Sequence, residues 1–303
     1  MIISPIMKFI VDKEKGYPAP TEKEKLTRTI SKFKRILGNI SGAYNISETK
    51  FGLADMLVGR NDPGDWKEAM RLYNEVLDIA PSMYLRGRAL IGKAELLIGS
   101  KKKEDMEEAL SLCEKARKIL QEDLSDFFGS KVIAVEAELL AKRAGAGDYN
   151  KAGKLYEKII KSKKAHIYFR GRSMVGRAEL YLFMPKPTGI PSAIKLCSEA
   201  SKLLADRPDD YFAQKAKLVE VELRIKRGKK DDIEKASALC RLTIKNPQAY
   251  KELLARAKLD LAEISRHPLA EKLHKEVLEM EGLDPYLIEK ARQIDKALKA
   301  KKK

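Results

Sequence analysis

The sequence predicts an all-α fold, a solenoid of about six stacked helical hairpins. Three observations predict it. First, a small residue is followed fifteen positions later by an alanine that opens Ala-x-x-Leu: Ala54 and Ala69, Ala94 and Ala109, Ala137 and Ala152, Ala178 and Ala193, Val221 and Ala236. Second, those later alanines recur at intervals of 40, 43, 41, 43 and 34 residues, the last reaching an altered copy at Ala270 and Leu273. Periods in this range mark stacked helical hairpins. Third, breaks fall where hairpin turns belong: Asn61-Asp62-Pro63-Gly64, Gly145-Ala146-Gly147-Asp148, Pro185 to Pro191, and Gly228. Gly and Pro in such positions end helices.

Taken in order, residues 1–46 read as an N-terminal extension and a capping helix. Residues 1–20 are expected to be irregular, closed by Pro18 and Pro20. Thr21 and Glu24 form a capping box, and Leu26, Ile30, Phe33 and Leu37 follow at helical spacing before Gly38. The repeat array spans residues 47–283, starting near Ser47. In each repeat the first helix (A) carries the first small residue and the second helix (B) carries Ala-x-x-Leu. Small side chains belong where paired helices cross, because backbones about 8–10 Å apart leave no room for large ones. Asp65 and Asp148 fit the N-cap of their B helices. Links between repeats are short, as at Ala80-Pro81-Ser82 and Arg207-Pro208-Asp209, so one continuous domain is expected. The sixth repeat turns at His267-Pro268. Residues 284–303 form a capping helix, with Asp284 as cap and Pro285 at its first position, and a basic tail that frays at Lys301 to Lys303. The second and fourth repeats match at an offset of 84 residues, carrying Arg86-Gly87-Arg88 onto Arg170-Gly171-Arg172 and Cys113 onto Cys197, which suggests a two-repeat super-period.

Hydrophobic residues make up 44% of the 303-residue chain, enough for a continuous core. No stretch approaches the roughly 18 apolar residues that would cross a membrane, and the N-terminus lacks a basic leader. The chain is therefore expected in the cytoplasm, as a monomer. The net charge is +17, which suits an acidic protein, nucleic acid or acidic lipid as partner. Cys113, Cys197 and Cys240 share one column, four residues after the second alanine, with Tyr73 and Tyr156. A column that takes either Tyr or Cys is a packing position, so the thiols are expected to be reduced and inert. His267 and His274 flank Glu271 but lack the further ligands a metal site needs. Phosphate loops, nucleophile elbows and Cys-x-x-Cys pairs are missing from the sequence. The expectation is a protein that is not an enzyme, with no cofactor and no metal.

The segment Asp148-Tyr149-Asn150-Lys151-Ala152-Gly153-Lys154-Leu155-Tyr156-Glu157-Lys158 resembles the second helix of a tetratricopeptide repeat (TPR). Trp66-Lys67-Glu68-Ala69-Met70-Arg71-Leu72-Tyr73, followed by Pro81, resembles it too. The resemblance covers roughly residues 47–280. It implies antiparallel helix pairs stacked in a right-handed superhelix, with A helices lining a concave groove that binds peptides or partner proteins. The separation of the two small residues exceeds the TPR pattern by three, a lengthened turn reminiscent of Sel1-like repeats. The aromatic expected on helix A is often Leu here, as at Leu57, Leu97 and Leu140.

Two lines of charge follow from this register. A carboxylate succeeds each first small residue: Asp55, Glu95, Glu138, Glu179 and Glu222, with Asp260 in the altered copy. Seven residues before them stand Arg88, Lys131, Arg172 and Lys215, with Glu48 the exception. By the resemblance the acidic column faces the groove, where it would form a ladder that receives a basic peptide. The simpler expectation is ion pairing between neighbouring A helices, worth about 0–1 kcal/mol per exposed pair. The second line is a basic edge at the turns within hairpins: Arg60, Lys101, Lys102, Lys103, Lys142, Arg143, Lys186, Lys226, Arg227, Lys229, Lys230 and Arg266. The favoured function is an interaction scaffold that binds a protein or peptide, of acidic character, through the groove or this edge. The alternative is a nucleic-acid-associated protein that meets phosphates at the turns. It is not favoured, because no aromatics are interleaved with these runs and stacking on bases needs them.

Overall fold

The computed structural model describes residues 22–98, 102–121, 123–183, 188–208 and 210–300. The expected irregular N-terminal segment, the Thr21 capping box, Lys101, Lys186, Asp209 and the closing Lys301 to Lys303 lie outside these residues. Among the described residues there are fourteen helices and no strand. They are α1 (Glu22–Leu37), α2 (Ala43–Arg60), α3 (Asp65–Ile79), α4 (Met83–Leu97), α5 (Lys103–Leu120), α6 (Phe127–Arg143) and α7 (Asp148–Lys161). Then follow α8 (Ile167–Phe183), α9 (Ile190–Leu203), α10 (Tyr211–Arg227), α11 (Lys230–Lys245), α12 (Lys251–Ile264), α13 (Leu269–Leu278) and α14 (Pro285–Ala300). The A helices are α2, α4, α6, α8, α10 and α12, and each is followed by its B helix.

The chain divides into two compact units. The first contains α1 to α5 and Lys131–Arg143 of α6; the second contains Leu124–Ser130 and α7 to α14. In the first unit α2 packs on α3 and α4 on α5, while α1 covers α2 and the A helices α2 and α4 touch. In the second unit α8 pairs with α9, α10 with α11 and α12 with α13. There the A helices α8, α10 and α12 also meet in sequence, and α14 takes the next A position against α12. Within each unit the helices named here therefore bury apolar surface against their neighbours in the chain, the architecture of a helical repeat.

The crossing residues are where the spacing put them: Ala54, Ala69, Ala94, Ala109, Ala152, Ala178, Ala193 and Ala236 are fully buried. Over the first four repeats the B-helix column alternates in size, and the following A helix compensates. Opposite Tyr73 stands Gly92, where a Cβ would lie 2.5 Å from the ring, and opposite Tyr156 stands Gly176, with the same clearance. Two residues before Val221, where the B-helix residue is the small Cys197, the A helix carries Val219, packed in the same core. This exchange of volume is the physical content of the two-repeat super-period. Phe33 fills the column from α1 against Gly52, so the leading helix acts as a B half-repeat.

Two expectations need correction. Asp65 and Asp148 are the first helical residues, and Gly64 and Gly147 hold the cap positions with positive φ. Their carboxylates bond backwards, to the N–H groups of Asp62 and Gly145, and so close the lengthened turn. True side-chain caps occur on the A helices: Asp126 accepts from the N–H of Phe128 and Gly129, and Asp210 from those of Phe212 and Ala213. Asp284 caps α14 ahead of Pro285, as its sequence foretold.

Candidate functional site

The two charge columns of the A helices meet each other. In the first unit Arg88 donates to Glu48 at 2.6 Å and Lys131 pairs with Glu95 at 2.8 Å. In the second unit Lys215 pairs with Glu179 at 2.7 Å, and Arg256 forks onto Glu222 with contacts of 2.7 and 2.8 Å. Lys290 of the last helix continues the series by donating to Asp260 at 2.8 Å. Each cation thus reaches back to a carboxylate on the preceding A helix. At the Glu48 exception the direction is reversed: the described helix before α2 is the B-type α1, and the Glu48 carboxylate accepts from Arg88 on the following A helix. Asp55 takes a hydrogen bond from the Tyr73 hydroxyl at 2.6 Å. Glu138 is half-buried, and Arg172 is buried with its guanidinium 4.6 Å above the Phe212 ring.

Burial alone would raise the Glu179 carboxyl, but Lys215 and Arg256 outweigh it and hold the group below its usual range. At Asp260 the balance reverses. Burial, with Glu222 adding, pushes this carboxyl up to about 7 against the pull of Lys290 and Arg256. Its Oδ2 is buried without a hydrogen bond.

Five of the basic residues at the hairpin turns are also engaged. Arg60, the last residue of α2, grips Asp65 through two contacts of 2.9 and 2.5 Å. Arg227, at the end of α10, does the same to Asp232 at 2.6 and 2.5 Å, and Arg224 joins at 2.9 Å. Arg143 reaches Glu107 at 3.1 Å. Lys142 donates to the Ile98 carbonyl, and Lys226 to the carbonyls of Leu182 at 2.6 Å and Tyr181 at 3.2 Å. These lysines cover the C-terminal carbonyls of the preceding A helix, where a cation also suits the helix dipole. Lys102 and Lys229 occupy the cap positions of α5 and α11, Lys103 and Lys230 the first helical positions, and all four are exposed.

A third feature escaped the sequence reading: the aromatics at the starts of the A helices. Tyr84, Phe127, Tyr168 and Tyr211 each precede the basic column (Arg88, Lys131, Arg172, Lys215) by four residues. That fixed offset was the available signal. In the second unit the rings form an unbroken series. Phe127 lies 4.8 Å from Phe169, Phe169 5.2 Å from Tyr168, and Tyr168 6.3 Å from Phe212, centroid to centroid. Phe212 then lies 5.2 Å from Tyr211, and Tyr211 5.2 Å from Tyr250. Arg207 sits 5.4 Å over Tyr168. His166 caps α8 by accepting from the Tyr168 N–H, and burial with Arg207 nearby lowers its pKa, which favours the neutral imidazole.

The cysteines are buried. Burial, with nearby carboxylates adding, drives the thiols of Cys113 and Cys197 far above their usual range and that of Cys240 up to about 12. Such thiols are protonated and poor nucleophiles at neutral pH. His274 is buried in the same column and bonds the Ala270 carbonyl through Nδ1 at 2.9 Å. Among the described residues no group of His, Cys, Asp and Glu is arranged to hold a metal ion.

No protein-family model matches the chain. No curated protein matches its sequence. Among solved structures it is similar to Tom70 of yeast, with a TM-score of 0.52 and 13% sequence identity. The match covers 92% of this chain and 60% of that one, so this chain spans less than two thirds of the Tom70 chain. At this identity the likeness speaks to the fold alone. Fourteen helices packed as successive hairpins, with small residues at the crossings and this structural neighbour, make the fold that of a TPR-like helical repeat.

Proposed function

We propose that this chain is a non-catalytic scaffold that binds a partner protein or peptide. The observation that carries the reading is the repeat architecture itself. Its core is spent on joining one helix to the next, so what it offers outward is an extended side-chain surface. The protonated thiols support the non-catalytic part.

The partner surfaces we assign are A-helix faces: Arg88, Glu95, Lys131 and Glu138 in the first unit, and Arg172, Glu179, Lys215 and Glu222 in the second. Most of these charges meet one another across adjacent helices, and their first role is to fix the stacking of the A helices. A partner on either face would be chosen by shape and hydrogen bonding to paired groups rather than by net charge. The basic edge is the weaker candidate, because Arg60, Lys142, Arg143, Lys226 and Arg227 already hold acceptors of the chain itself. The same observation weakens nucleic-acid binding at the turns. No described helix is long and apolar enough to cross a membrane, and a monomer in the cytoplasm is the form we propose.

The test is affinity capture with the tagged full chain, with and without nuclease, followed by rebinding of each purified partner. The reading expects a protein retained after nuclease that rebinds as a pure component. Loss of every partner after nuclease would overturn it.

A further inference from the structure

We propose that the start of α8, with the aromatic series around it, is a binding site for single-stranded nucleic acid. The site is separate from the hairpin turns and from the A-helix ion pairs.

The α7–α8 link differs from the other links between repeats in carrying lysines, Lys163 and Lys164. Residues 158–172 carry Lys158, Lys161, Lys163, Lys164, Arg170 and Arg172 and no acidic side chain. The link before α10 contains Asp206 and Asp210, and the link before α14 contains Glu279, Glu281 and Asp284. Lys163 and Lys164 are exposed and make no ion pair among the described residues. Lys161 is exposed and pairs with Glu157 of the same helix at 2.8 Å. Arg207 is exposed above Tyr168. Lys161, Lys163 and Lys164 lie at the end of α7 and in the link that leads into Tyr168, and Arg207 sits 5.4 Å over that ring.

The rings complete the site. Phe127 and Tyr250 are 40% and 44% exposed at the two ends of the series. Tyr168, Tyr211 and Phe212 are half-buried, and Phe169 is buried beneath them. Tilted and edge-on packing holds each ring in place, so little rotamer freedom is lost when a base stacks on it. Aromatic steps beside a row of cations form the general platform for an unpaired strand: phosphates meet the Lys and Arg groups while bases meet the rings. A duplex has its base faces covered, and an acidic peptide has no rings to stack. Both are poorer ligands here.

The test is fluorescence polarisation with labelled oligouridylate, labelled oligothymidylate, a duplex of the same length, and polyglutamate as a competitor of equal charge. Both single strands are expected to bind. The logarithm of affinity should fall against that of salt with a slope of about −3, if four cations each displace one counterion at about −0.7 per single-strand phosphate. Lys163→Glu with Lys164→Glu should weaken binding at least tenfold and flatten the slope. Phe127→Ser and Tyr250→Ala should each weaken it about fivefold or more and leave the slope unchanged. Lys163→Gln with Lys164→Gln, with melting temperatures measured for all, separates loss of binding from loss of folding. Preference for oligouridylate over oligothymidylate would assign the site to RNA, and the reverse to single-stranded DNA; either supports the proposal. Three results overturn it: no binding at low salt, aromatic variants that bind like the parent, or polyglutamate that competes as well as unlabelled oligonucleotide.

Discussion

The two ends of the A helices carry the same residue types and use them differently. At the C-terminal ends, Arg60, Lys142, Arg143, Lys226 and Arg227 are spent on acceptors of the chain itself. In the link before α8, Lys163 and Lys164 are exposed without an ion pair among the described residues, and Arg207 of the next link lies over Tyr168. The contrast teaches that a net charge of +17 does not locate a binding surface. What locates it is which cations already have an acceptor. Lysines within reach of helix-terminal carbonyls or a buried carboxylate become structural. Those in a link without acidic residues remain available.

Four substitutions or titrations break or sharpen this contrast. The largest effect is expected at Asp232, which is buried and takes both Arg224 and Arg227. Asp232→Ala strands Arg227 and removes one of the two carboxylates that hold Arg224, which keeps Glu220, and should cost about 3 kcal/mol, read from the urea midpoint. A loss within about 0.5 kcal/mol, the size of a neutral surface change, would show that the turn pairs hold nothing together.

The ladder comes next, read through pH. An unfolded Asp titrates near 3.9, while Asp260, facing Glu222, Arg256, Lys290 and Glu263 from α10, α12 and α14, is pushed up to about 7 in the fold. Between these values the native state binds more protons than the unfolded state, so this group's contribution to stability falls as pH rises. Glu179, held low by Lys215 and Arg256, works the other way and loses its contribution as pH falls toward the carboxylate range. Chemical denaturation from pH 4 to 7 should therefore show the parent losing stability relative to Asp260→Asn as pH rises. An opposite slope would mean that Lys290 dominates over burial at this site.

A smaller loss, about 1 kcal/mol, is expected for Lys226→Met, which removes the donor to the Tyr181 and Leu182 carbonyls but keeps an apolar stem. Hydrogen exchange at the end of α8 should rise in the variant; unchanged exchange would return Lys226 to the available set. The smallest effect on stability belongs to Lys163→Gln with Lys164→Gln, within about 0.5 kcal/mol, because neither side chain has a partner to lose. A large destabilisation there would erase the distinction between the two ends.

Much of the fold was legible in the residues, and the misses have definite causes. Ala54, Ala94 and Ala178 were readable as helix crossings because closely approaching helix backbones demand small side chains at a fixed interval. Tyr73, Cys113, Tyr156 and Cys197 were readable as one packing column, but not why the sizes alternate. That needed Gly92 and Gly176 on the neighbouring helices, whose distance in sequence hides the contact. Asp65 and Asp148 were placed one residue early because a lengthened turn lets the carboxylate bond backwards to it. Of the candidate site, the Lys131–Glu95 and Lys215–Glu179 pairings followed from register alone, since equal columns on parallel helices must meet. The aromatic series was missed because aromatics were sought within the Lys-rich turns. They lie at the opposite helix ends, four residues before the basic column.

The central claim, that the cations at the A-helix C-terminal ends and in the ladder are held while those at the start of α8 are available, is tested most directly by lysine reactivity. The native full chain would be pulse-acetylated and the modification rate of each lysine read by mass spectrometry. The account predicts that Lys163 and Lys164 react as fast as lysines in an unfolded control, and that Lys131, Lys215, Lys226 and Lys290 lag well behind. Equal rates in the two sets, or a protected Lys163–Lys164 pair, would contradict it.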